Sequence, residues 1–148
     1  LVEKGLLLVG LTTVYMTGQS NGSVSVDEAV QKRIEMFKSS GKNIKALNKS
    51  IQAGDTGKAV QLMGFHVTWS EKMSLFFPLG SEASTLNGSD ASSDIWGNPI
   101  KFMSAINQYK MASKELQKAL SAGDPASINQ IFKSFVGTCT GCHKQFRN

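Results

Sequence analysis

The chain has 148 residues and two cysteines, both within its last ten positions, and a histidine follows the second. The run is Cys139-Thr140-Gly141-Cys142-His143, and C-x-x-C-H is the spacing of covalent haem c attachment. On a helix, residues three and four apart share a face, so both thiols and the imidazole project to one side. Two S–H groups can then add across the two vinyl groups of one porphyrin while His143 reaches the iron as its axial ligand. Covalent attachment also lets a small domain keep its haem without a deep enclosing pocket.

Other chemistries use these residues less well. A structural disulfide leaves His143 without a role, and three-residue spacing on a helix makes a poor staple. A thioredoxin-like pair opens a helix after a strand, where the positive helix end lowers the thiol pKa; this pair sits in the last turns of a helical pattern. Zinc asks for four ligands, and His66 is the one other histidine. A partly buried or surface position suits His66 better than a role as second ligand.

The elements that must hold the motif are helical. From Asp27 to Gln52, Val30, Ile34, Phe37, Ile44, Leu47 and Ile51 form one stripe at helical spacing. Ala53-Gly54-Asp55 ends it, and Asp55 or Thr56 caps a second helix running to about Phe77, with Leu62, Phe65, Trp69, Met73 and Phe76 on its apolar face. Pro78 stops that helix. Residues 78 to 98, rich in Gly, Ser, Asn and Asp, form one long connection without periodicity. A third helix runs from Pro99 to about Leu120. Asp124 then caps a fourth with Pro125 at its first position. The fourth stripe is Ile128, Phe132, Phe135, Cys139, Cys142 and Phe146, which carries the motif. No alternating strand pattern competes, so the expected fold is all-α, an antiparallel four-helix bundle with the haem near the C-terminus.

Residues 1–22 read differently. Lys4 precedes the apolar run Gly5–Met16, too short to cross a hydrocarbon layer and the right length for a signal-peptide h-region. The expectation is a signal peptide over 1–22, its boundary unmarked by an A-x-A site, and a bundle domain over 23–148, placed in the periplasm and soluble after export.

With these elements laid out, the stretch from Ser25 to Asn148 resembles the cytochromes c′, the class II c-type cytochromes. The likeness rests on the C-x-x-C-H run together with RIEMFKSSG at 33–41, Phe77-Pro78-Leu79-Gly80-Ser81, Asp94-Ile95-Trp96 with Pro99 and Phe102, Ala122-Gly123-Asp124, and the closing CTGCHKQFR. The resemblance implies that Arg33 approaches a haem propionate, although Ile34 stands where the family usually has a hydrogen-bonding Gln. It implies that Asp90, six residues before Trp96, lies at the haem edge, and that Arg147 stands beside the proximal ligand. At four residues after His143, Arg147 lies over the same helical face, where it steers a small ligand or keeps the imidazole neutral. An ordinary loop aspartate and a cation favoured by the helix C-terminus are the plainer readings of Asp90 and Arg147.

The sixth iron position decides the function. The resemblance implies a vacant site covered by an apolar side chain four residues after the arginine, which here is Phe37. A crowded apolar cover leaves a five-coordinate haem that admits NO or CO and disfavours water and anions, which must be desolvated. Met36 is the alternative, a sixth ligand that would make a low-spin electron carrier. Phe37 and Met36 stand 100° apart on the helix, so only one faces the iron, and Phe37 shares the stripe of Val30, Ile34, Ile44 and Ile51.

Composition sets the remaining bounds. Apolar residues make up 41% and charged ones 18% of the chain, which suits one ordinary globular domain. The formal charge of +5 is spread along helices with no run of five or six cations, so nucleic acid is not an expected partner, while an acidic redox partner is. There is no paired carboxylate, nucleophile or distal acid–base group, and no enzymatic turnover is expected. Methionines 63, 73, 103 and 111 are expected to fill core gaps, with Met73 touching the porphyrin, and Trp96 to pack the connection on the bundle. The broad apolar stripes of the first two helices are compatible with a homodimer, as the resemblance also implies.

Overall fold

The computed structural model describes residues 24–148; the segment read as a signal peptide lies outside them. Helix α1 spans Val26–Gln52. Ser25 opens it through a reciprocal capping box: the Glu28 N–H donates to the Ser25 Oγ at 3.2 Å and the Ser25 N–H to Glu28 Oε2 at 2.9 Å. Helix α2 spans Thr56–Lys72, and of its two candidate caps Asp55 is the one used, accepting from the Lys58 N–H at 3.0 Å. A one-turn helix α3, Asp94–Gly97, precedes α4, Pro99–Ala122. Gly123, at φ 77°, turns the chain in the left-handed region that suits glycine. Asp124 then accepts from the Ala126 and Ser127 N–H groups to start α5, Pro125–Phe146.

Each long helix packs on the next: α1 on α2, α2 on α4, α4 on α5. Leu47, Met63, Leu116, Leu120 and Phe135 fill the centre. The outer pair, α1 and α5, do not pack closely on each other, and a cleft opens between them. Among the described residues no helix is long and apolar enough to cross a membrane.

The expected fold holds, with differences in detail. Helix α2 ends at Lys72 rather than near Phe77, and its last turn tightens into a 3₁₀ turn, Met73–Phe76. Its buried face is Ala59, Met63, His66, Trp69, Ser70 and Met73, rotated by about one residue from the expected stripe, so Leu62 and Phe65 are only half-buried. The connection is more ordered than its composition suggested. It contains α3, an isolated bridge between Ser84 and Ser89, and a second between Ala91 and Arg147. Met63 and Met73 are core residues as expected, whereas Met103 and Met111 are exposed at 42% and 72%. Trp96 does hold the connection to the bundle, donating from its indole Nε1 to the Phe77 carbonyl at 3.3 Å.

Candidate functional site

The cleft between α1 and α5 holds a cavity of about 620 Å³, bordered by Cys142, His143, Phe146 and Arg147 at the end of α5 and by Arg33, Ile34 and Phe37 on α1. A second compartment of about 110 Å³ shares the Phe37, Met73, Cys142 and His143 walls and adds Cys139, Trp69 and Tyr109. Cys142 and His143 border both compartments and Cys139 the smaller, so the three motif side chains share one side of α5, as expected of positions three and four apart on a helix. The Phe37 ring stands 5.8 Å from the His143 ring, edge to face, from the opposite side of the cleft. Met36 packs against the core and borders neither compartment.

Burial sets the charge states on α5. It raises the Cys139 thiol, and it pushes Cys142 to about 11 with help from its neighbour Cys139. Both thiols are thus protonated near neutral pH, unlike the acidic thiolates of exchange catalysts. His143 is held below its ordinary value, first by desolvation and then by the Arg147 charge. That favours the neutral ring, the form in which an imidazole ligates a metal.

Arg33 borders the larger compartment, yet its main contacts are with the connection. It is 3% exposed. Its Nη1 donates to the Phe76 carbonyl at 2.9 Å and the Ser81 Oγ at 2.7 Å, and its Nη2 to the Ser81 carbonyl and to the Ser89 Oγ at 2.7 Å. The guanidinium also lies 4.5 Å from the centre of the Phe77 ring, a cation–π contact. Sequence reasoning singled out Arg33 but not these partners. Two serines in a polar loop give no local signal that one buried cation will collect them.

Asp90 and Arg147 meet at the cavity mouth, where Arg147 Nε and Nη2 reach Asp90 Oδ2 at 3.2 and 2.8 Å. Arg147 is not on the helix, as its spacing implied. It adopts an extended backbone, φ −123° and ψ 132°, because the chain end pairs with the connection. The Ser92 N–H donates to the Phe146 carbonyl and the Asn148 N–H to the Asp90 carbonyl, both at 2.9 Å. Those bonds compete successfully with another helical turn, and the Arg147 side chain still borders the cavity beside His143.

His66 departs from the expected partly exposed position. It is fully buried, with Nδ1 2.7 Å from the Tyr109 hydroxyl and Nε2 3.0 Å from Asn43 Oδ1. With Oδ1 as acceptor, Nε2 carries the proton and Tyr109 donates to Nδ1. Both nitrogens are engaged within the core, which leaves none for a ligand.

Residues 28–147 match the profile of the family described as Cytochrome C′. The chain belongs to the cytochrome c′ family. Among curated proteins it is similar to cytochrome c′ of Pararhodospirillum photometricum, 27% identical over 125 residues, which are 83% of this chain and 98% of that protein. Among solved structures it is similar to a cytochrome c′ described as having an unusual ligand-controlled dimer dissociation, with a TM-score of 0.77 at 13% identity, covering 83% of this chain and 96% of that one. It is also similar to a nitric oxide complex of a variant cytochrome c′ from Alcaligenes xylosoxidans, with a TM-score of 0.73 at 19% identity, covering 84% and 97%.

Covalent haem c is the cofactor of this family, and the cleft of this cytochrome c′ fits it. Its volume lies within the range of small-molecule and cofactor pockets. Its walls are apolar at Ile34, Phe37, Met73, Phe77 and Phe146, while the exposed Asp90–Arg147 pair stands at the rim. From a single helix, Cys142 and His143 border both compartments and Cys139 the smaller one, the thiols protonated and the imidazole leaning neutral. That is the donor set required by two thioether bonds and one axial ligand.

Proposed function

We propose that this cytochrome c′ holds its haem through thioether bonds from Cys139 and Cys142, with His143 as axial ligand and the opposite iron position open beneath Phe37. When bound, the haem supplies an iron that takes small neutral gases such as NO and CO and exchanges single electrons. The chain's own residues select among ligands. Phe37 has no atom that ligates iron, and the apolar walls beside it make water and anions shed their hydration to enter. Asp90 and Arg147, paired at the cavity rim, would stand beside the exposed edge of the bound haem. Arg33 keeps one N–H, at Nε, for a haem carboxylate once its terminal nitrogens are spent on the connection.

One observation carries this reading: Phe37, and not Met36, faces His143 across the cleft. The nitric oxide complex among the structural neighbours supports it. Haem c is attached after export, which favours the periplasm as the working compartment, with an acidic redox partner suited to the chain's positive charge. A homodimer through α1 and α2 is compatible with the dimer described for one neighbour.

Replacing Phe37 by Ala is expected to open the cover and raise the CO association rate of the ferrous protein several-fold. Stopped-flow mixing measures this directly, and an unchanged rate would mean that Phe37 does not guard the iron.

A further inference from the structure

Trp69 on α2 is 2% exposed, and its Nε1–H is enclosed with no acceptor in reach. Among the described residues it is the single buried side-chain nitrogen or oxygen without a hydrogen-bond partner. Leaving such a donor unmet costs about 1–3 kcal/mol, a cost that Phe in the same place would not incur. The indole borders the smaller compartment of the cleft and meets the Phe37 ring edge-on at 5.7 Å. Two hydroxyls around that compartment have partners of their own: the Tyr109 hydroxyl lies 2.7 Å from His66 Nδ1, and the Thr138 Oγ1 donates to the Phe135 carbonyl at 2.7 Å. An acceptor for Trp69 must therefore arrive with an occupant. Arg33 and Arg147, the groups suited to a carboxylate, border the larger compartment and not this one.

We infer that Trp69 is the hydrogen-bond donor of the gas site, its indole N–H binding the oxygen of a diatomic gas held beside Phe37. The inference rests on the gas-binding reading above and adds a polar contact to an otherwise apolar cover. A donor at the oxygen draws electron density onto the bound gas, weakens its internal bond and slows its escape.

The test is the infrared C–O stretch of the full-length ferrous haem protein under CO, in H₂O and in D₂O, for the unmodified chain and for Trp69→Phe. The expected result is a band that shifts in D₂O in the unmodified protein, lies higher in Trp69→Phe, and loses its D₂O shift in that variant. A band unmoved by both solvent and substitution overturns the inference, as does a D₂O shift that persists in Trp69→Phe. The solvent comparison on the unmodified protein needs no variant, so a poorly folding Trp69→Phe leaves it decisive. Failure to take up CO at all would sink the gas-binding reading and this inference together. CO uptake with an unresponsive band would sink only the role of Trp69.

Discussion

At the scale of single residues, Arg33 does the most to shape the site. Its four terminal N–H groups bind acceptors at Phe76, Ser81 and Ser89, and its plane covers Phe77. The connection that walls the cavity is thus fixed to α1 one turn before Phe37. Lys keeps the charge but replaces a planar fork by a point donor that cannot span three sites. Arg33→Lys is expected to lower stability by about 2–3 kcal/mol through the hydrogen bonds it strands, measured as a lower urea midpoint at unchanged slope. An unchanged midpoint would mean that the connection is held by other contacts. The importance of Arg33 was legible from its place four residues before Phe37 and from the family resemblance. Its clamp was not, because Ser81 and Ser89 lie 48 and 56 positions away and nothing local in a Gly- and Ser-rich loop distinguishes a clamped serine from a solvated one.

Among the elements, α2 is where sequence periodicity and structure part. Leu62 and Phe65 are more apolar than His66, so hydrophobicity alone turned the helix toward them. The packed helix instead buries His66, because Tyr109 of α4 and Asn43 of α1 satisfy both ring nitrogens and Phe135 of α5 packs edge-on at 5.1 Å. One polar side chain thereby ties all four long helices, and such a network is invisible to a stripe count. Helices α1, α4 and α5 were legible from their stripes, and α4 and α5 also from the start signals Pro99 and Gly123-Asp124-Pro125. The buried network also has a pH signature. Desolvation lowers the His66 pKa from 6.5 to about 4, so the native state keeps the ring neutral while the unfolded chain protonates it. The unfolded state binds more protons between pH 6.5 and 4, and stability falls as pH falls through that window by up to about 3 kcal/mol, levelling off below it. Urea titrations at several pH values should show this slope in the unmodified protein and lose most of it in His66→Gln. Equal slopes in both would place the titration elsewhere.

For the whole molecule, the arrangement is a three-sided helical stack with one open side, and the C-x-x-C-H side chains, Arg33, Phe37 and the Asp90–Arg147 pair border that side. Packing of α1 on α2, α2 on α4 and α4 on α5 leaves α1 and α5 to face each other across the cleft. In the proposed reading, the last ten residues hold the haem and α1 supplies its cover. The C-x-x-C-H motif was legible because a helix converts its spacing into a shared face without help from the rest of the chain. The cover was narrowed to Phe37 or Met36 by the same helical geometry, and the packing of α1 against α2 and the 3₁₀ turn sends Met36 toward the core. The chain end was the least legible part, since the pairing of Ala91 with Arg147 depends on a loop 56 residues away.

The central claim is an open iron position beneath Phe37, and the optical spectrum of the reduced protein with and without CO tests it most directly. A five-coordinate haem predicts a broad, high-spin ferrous spectrum that changes on adding CO. Sharp, split α and β bands unchanged by CO would contradict it and assign the sixth position to a ligand such as Met36.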